Sequence, residues 1–214
     1  MKGTRFGVLV KGMSMMVLVG ILLTGCGVTP VDQDEKVSST PKKQEPLGWN
    51  VPHFTFTDQD GKPFDSKQLA GKPYLVDMIF TRCPDVCPPM TANMVRLQKQ
   101  MKDEGVSIDI VSFSVDPAYD QPKQLKAFAK RYDADLSQWH FLTGYPQKEI
   151  EDFARQGFKS PVMKQKKSTK NSVMVNHSVS FFLVDTNGKV YERYDGLKPD
   201  YDRIIRDLKQ VDKK

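Results

Sequence analysis

Hydrophobic and polar positions change period several times along the chain, and each change marks an element. Phe54-Thr55-Phe56-Thr57 alternates with the two-residue period of a strand and runs into the turn-forming Asp58-Gln59-Asp60-Gly61. Tyr74 to Phe80 is a nearly continuous apolar run, the pattern of a strand buried on both faces. Met90, Met94, Leu97 and Met101 then recur at helical spacing and stop before Gly105. Methionines in that register are core filler. Ile108 to Val115 reads as a second buried strand. Leu125, Phe128, Ala129 and Tyr132 predict a helix with Asp120 as its N-cap and Pro122 in the first turn. Ile150, Phe153 and Ala154 predict another, ending at Gly157. Ser180 to Asp185, the turn Asn187-Gly188 and Val190 to Tyr194 form a strong hairpin signal. Ile204, Ile205, Leu208 and Val211 close the chain as an amphipathic helix. Strands alternating with helices, then a hairpin and a last helix, imply one α/β domain from Trp49 to Lys214: a mixed sheet flanked by helices.

The segment ahead of that domain reads differently. Lys2, Arg5 and Lys11 precede an apolar run from Met13 to Leu23, and Leu23-Thr24-Gly25-Cys26 follows. A positive start, a short hydrophobic stretch and small residues at a boundary make a secretory signal. The run falls short of the ~20 apolar residues that span a bilayer comfortably. Leu23-Thr24-Gly25-Cys26 looks like a bacterial lipobox, so residues 1–25 are expected to be a lipoprotein signal peptide and Cys26 the lipidated mature N-terminus. An uncleaved signal anchor is the alternative. Either way the domain is expected on the extracytoplasmic face of the cell membrane. Residues 27–48 carry no periodic apolar pattern and are expected to act as a flexible tether, reaching roughly 25 Å.

Charge then narrows the function classes. The 214 residues hold 32 Lys+Arg against 26 Asp+Glu, a net +6. Residues 1–25 contribute three of those cations and no acid, which leaves +3 for the mature chain. With no Arg-rich run and no interleaved aromatic stripe, nothing marks a nucleic-acid surface. Lys159, Lys164, Lys166, Lys167 and Lys170 form an acid-free basic stretch, read either as a solvated hairpin tip or as a steering patch for an acidic partner or anionic lipid. Three cysteines exclude a disulfide-dense scaffold and a four-cysteine zinc module.

With Cys26 assigned to lipidation, Cys83 and Cys87 remain, between a buried strand and a helix start. Strand ends in α/β sheets collect sites, and helix N-termini stabilise the reactive, metal-binding thiolate. A stapling disulfide here would close a very short loop with little entropic benefit. Two thiolates suit Cu(I) or zinc, and an imidazole extends the range to Cu(II). His53, His140 and His177 are the candidates for that third ligand. His53 is expected to face solvent, and His140 to sit structurally on a strand edge. His177, taken alone, is also more simply structural.

Cys83-Pro84-Asp85-Val86-Cys87-Pro88-Pro89-Met90 resembles the cysteine signature of the Sco/SenC copper-protein family. The likeness continues in Asp60-Gly61-Lys62-Pro63-Phe64, Ser112-Phe113-Ser114-Val115-Asp116-Pro117, Phe141-Leu142-Thr143-Gly144 and Asn176-His177-Ser178. The resemblance implies a thioredoxin-like fold with an inserted hairpin before the histidine, and copper held by Cys83, Cys87 and His177. It implies a role in assembling the dinuclear CuA centre of cytochrome c oxidase, with the copper domain of oxidase subunit II as partner. The chain departs from the family at Asn176, where many members carry Asp. Asp116 occupies a position where an aspartate near the metal is typical, although Asp-Pro also simply turns a chain after a strand. Three functions stay open: copper delivery, thiol reduction of the oxidase copper site by the Cys83/Cys87 dithiol, and a peroxidase with Cys83 as the peroxide-reactive residue. The remote histidine favours the first.

Overall fold

The structure, a computed structural model, describes residues 45–164 and 175–212. In chain order the elements are β1 (Trp49–Asn50), β2 (Thr55–Thr57), β3 (Pro63–Asp65), β4 (Tyr74–Ile79), α1 (Cys87–Asp103), β5 (Asp109–Ser114), α2 (Pro122–Arg131), β6 (Trp139–Leu142), α3 (Gln147–Phe158), β7 (Met163–Lys164), β8 (Val175–Asn176), β9 (Ser180–Val184), β10 (Lys189–Asp195) and α4 (Tyr201–Asp212). Six strands form one mixed sheet in the order β1-β10-β9-β4-β5-β6. β4 pairs parallel with β5, and β5 with β6, while β9 joins β4 antiparallel. The turn at Asp58–Gly61 closes β2 onto β3 as a separate two-stranded unit.

Alternation along the central strands splits the core in two. Leu75 and Ile79 join Met90, Met94, Leu97 and Met101 of α1 and the apolar stripes of α2 and α4. Tyr74, Val76 and Met78 pack on the opposite face with Phe54, Phe56, Ile150 and Phe153, under α3 and the β2–β3 unit. The α1 methionines are fully or almost fully buried, as their spacing predicts.

Several boundaries differ from the expectation. Leu47 and Gly48 already donate backbone hydrogen bonds to Tyr191 and Val190, so β10 captures the chain two residues before Trp49. Asp120 does not cap α2. Gln121 holds the N-cap position, and the buried Asp120 carboxylate instead accepts from the Thr81 N–H, the Thr81 hydroxyl and the Ser114 hydroxyl. α3 passes through Gly157 and ends at Lys159, whose φ of 50° provides the left-handed stop. Gly157 lies inside the helix, and a Cβ there would come to 3.0 Å from Pro52. The strand pair β7–β8 lies immediately before His177, where a hairpin was expected, and residues 165–174 between them fall outside the described residues. So do residues 1–44, which hold the expected signal, Cys26 and most of the expected tether, and with them Lys166, Lys167 and Lys170. No helix among the described residues is long and apolar enough to cross a membrane.

Candidate metal centre

The cysteine loop leaves β4 and enters α1 at Cys87. Pro88 and Pro89 occupy the first turn, where a missing N–H is harmless, so few unpaired donors remain at this helix end. The Cys87 N–H is one of them, and it points at the Cys83 sulfur from 3.4 Å. Cys83 therefore sits where the helix dipole favours an anion. Cys87 is fully buried and Cys83 half-buried, and both are free thiols.

The third donor arrives from the far end of the sequence. His177 Nε2 lies 3.5 Å from the Cys87 sulfur, across 90 residues of chain. Its Nδ1 stands 2.8 Å from the Ser178 carbonyl, a pure acceptor, so Nδ1 carries a proton and Nε2 faces the sulfurs. The Phe80 ring meets the imidazole edge-on at 5.7 Å and limits its rotation. His53 pairs instead with Asp65 at the surface, and His140 sits between Asp109 and the Phe64 ring on the sheet edge. Of the three histidines, the fold brings His177 to the cysteines.

The two sulfurs are electrostatically unequal. Cys83 is held down to about 3, chiefly by the Cys87 S–H it accepts, and further by His177 and the Cys87 and Asp85 backbone. Cys87 is pushed far above the ordinary thiol range by that same hydrogen bond, then by burial and by the charges of Cys83 and Asp77. Both shifts favour the negative charge on Cys83 and the proton on Cys87. Among the described residues no three His, Cys, Asp or Glu groups are drawn into a closed metal cage. The donors stand adjacent instead, and their chemistry, two soft sulfurs and one oriented imidazole, fits copper. A metal entering here would displace the Cys87 proton.

Asp116 lies in a turn and carries two ion pairs. Its carbonyl accepts from the Tyr119 and Asp120 N–H groups. Its buried carboxylate meets Arg82 at 2.6 Å and Lys164 at 2.5 Å. A carboxylate whose charge bears on the Cys87 thiol is Asp77, which the apolar reading of Tyr74–Phe80 passes over. Asp77 is fully buried on the α1 face of β4, accepts from Ser112 Oγ at 2.5 Å, and leaves its Oδ2 without a partner among the described residues. Burial pushes its carboxyl up to about 6, against the opposing pulls of Ser112 and His177. A single acid inside an apolar strand is the signal that marks it. Asn176 is exposed on β8 opposite Met163.

The SCO1/SenC family model matches residues 43–212. The chain belongs to this family. It is similar to the crystal structure of a SCO1/SenC family lipoprotein from Bacillus anthracis str. Ames, with 47% identity and a TM-score of 0.73 over 78% of this chain and 96% of that one. It is similar to BsSco, a member of the Sco family of cytochrome c oxidase assembly proteins in which a disulfide switch has been identified, at 46% identity and a TM-score of 0.71, covering 79% and 97% of the two chains. The crystal structure of Arabidopsis thaliana ScoI with copper bound aligns at 26% identity and a TM-score of 0.64, covering 75% and 98%. The sheet and helices described above are thus the thioredoxin-like fold that the motifs imply.

Proposed function

We propose that this protein binds copper through Cys83, Cys87 and His177 and delivers it to, or matures, the CuA centre of cytochrome c oxidase at the subunit II copper domain. The observation that carries the reading is the approach of His177 Nε2 to the Cys87 sulfur at 3.5 Å, with the other ring nitrogen committed to Ser178. Disulfide exchange has no need of an imidazole brought across the whole fold, whereas Cu(II) beside thiolate does. The copper-bound ScoI and the oxidase-assembly role of BsSco support the same reading. The similarity to a Bacillus anthracis lipoprotein supports the proposed signal, residues 1–25, with Cys26 as the lipid-bearing residue of a membrane tether.

One observation favours a second reading. A low-pKa, half-exposed Cys83 backed by a buried Cys87 thiol is the polarity of a dithiol reductant, and it fits reduction of the oxidase cysteines. Cells carrying His177→Ala, Cys83→Ser or Cys87→Ser separate the two. Copper delivery predicts equal oxidase loss in all three at matched protein levels. Near-normal oxidase in the histidine variant alone would replace copper delivery with thiol reduction.

A further inference from the structure

The two ligand-bearing segments are joined by more than their ligands. Arg82, next to Cys83, places Nε at 2.7 Å and Nη2 at 2.6 Å from Asp116 Oδ2. Lys164 Nζ lies 2.5 Å from Asp116 Oδ1. Lys164 belongs to β7, whose register sets Lys164 opposite Val175 and Met163 opposite Asn176, the residue before His177. A closed path therefore runs from Cys83 through Arg82, Asp116, Lys164 and the β7–β8 pair to His177.

We propose that Asp116 is the positioning residue of the copper site, a buried carboxylate that fixes the histidine segment against the cysteine loop through one cation from each. The inference rests on the ligand assignment made under Proposed function.

Four features make the tie stiff. The carboxylate has no exposed surface, while each cation keeps 31% of its side chain exposed, so the bond is shielded from solvent on the acid's side. Asp116 is itself pinned at the end of β5: its N–H donates to Ser114 Oγ at 3.2 Å, and its carbonyl accepts two backbone N–H groups. Asp120, four residues on, holds the Thr81 N–H and hydroxyl, so the same turn fixes the loop one residue before Arg82. The Arg82 guanidinium also lies 4.3 Å above the Tyr119 ring, which keeps it aimed at Asp116. Removing one partner from such a cluster strands the others in a poorly solvated place. Among the described residues β7–β8 pairs two residues on each side, and the Asp116–Lys164 contact adds a side-chain tie to that backbone pairing.

The test uses Asp116→Asn, Lys164→Met and Lys164→Arg in the soluble domain. In the metal-free protein, hydrogen exchange over 159–164 and 175–179 should lose protection in Asp116→Asn and Lys164→Met, while β4, β5 and β9 exchange as in the parent. Cu(II) affinity should fall about ten- to a hundredfold in both, with a shifted Cu(II)–thiolate absorption band, and Lys164→Arg should restore both. Cu(I) affinity should stay near the parent value, because two thiolates already make a tolerable site. Lys164→Met keeps the test decisive if Asp116→Asn fails to fold. Parent-like exchange and an unshifted Cu(II) band in a folded Lys164→Met protein would overturn the proposal. The exchange arm needs no copper, so it judges the Asp116 tie even if a Cys83→Ser, Cys87→Ser protein still binds the metal and the ligand assignment falls.

Discussion

Two thiols four residues apart differ this much because one sulfur accepts at the start of a helix and the other donates from beneath it. Cys83 takes the Cys87 N–H and S–H, while Cys87 is buried with the Asp77 charge bearing on it. An alkylating reagent should modify Cys83 alone in the reduced protein, at a rate nearly flat from about pH 5 to 8, where an ordinary thiol of pKa near 8.5 would still be accelerating. Peptide mass mapping across that range checks it. A rate climbing with a midpoint near pH 8, or equal labelling of both, would contradict the assignment. Asp77 makes a second prediction with a definite sign. Its carboxyl titrates near 3.8 when unfolded and at about 6 when folded, so the native state binds the proton more tightly. Stability from this group is complete below about pH 4 and is lost as pH rises through 6, on the order of 3 kcal/mol. Asp77→Asn removes that loss. The melting temperature of the variant relative to the parent should therefore rise between pH 4 and 7, and a constant difference would refute the raised carboxyl. The cysteines and His177 are legible in the sequence because soft donors are rare in it and their motif is distinctive. Asp77, Arg82 and Asp120 are not, because a lone acid or cation acquires a role only when the fold decides what faces it.

At the scale of elements, periodicity locates α1, α2, α3 and α4, since each buries one stripe against the sheet. It misplaces their ends, because ends are decided by neighbours. Asp120 has the composition of an N-cap, yet Thr81 and Ser114 claim its oxygens. Gly157 has the look of a helix stop, yet it lies inside α3, where a Cβ would press on Pro52 at 3.0 Å. β10 carries a register shift between Val190 and Glu192, which a hairpin read from alternation alone does not contain. Past the end of β10, Gly196 shows how tightly the elements around the site are set. A Cβ on it would lie 2.7 Å from the Val179 carbonyl, 3.1 Å from the Phe181 ring and 3.2 Å from the Met90 methyl. Its carbonyl also accepts from Asn93 of α1 at 2.9 Å, so neither side has room to retreat. Gly196→Ala should destabilise the domain by about 1–3 kcal/mol through overpacking. Urea unfolding measures it, and a midpoint equal to the parent's would show that the contact relaxes freely.

For the whole molecule, the site is a product of topology. β9 returns antiparallel beside β4, which sets the segment following His177 next to the strand that feeds Cys83. No local pattern contains that juxtaposition. The family resemblance carried it, since periodicity yields strands and helices without saying which strand lies beside which. The same division separates the domain from its proposed membrane attachment. β10 already holds the backbone at Leu47, and every proposed copper ligand lies well after that point. Attachment, by contrast, is assigned to Cys26, ahead of the domain. Acyl chains contribute about 0.8 kcal/mol per buried methylene, and two or more hold a protein stably at a bilayer. Cys26→Ser should therefore move the protein from the membrane fraction to the soluble extracytoplasmic fraction, with copper binding per reduced domain unchanged. Oxidase assembly should weaken through dilution away from the membrane, and should recover when the soluble form is overproduced. Cell fractionation with a blot reads the first effect and oxidase activity the second. If Cys26→Ser stays fully membrane-bound after detergent-free washing in high salt, the apolar run from Met13 to Leu23 is the anchor and lipidation is not.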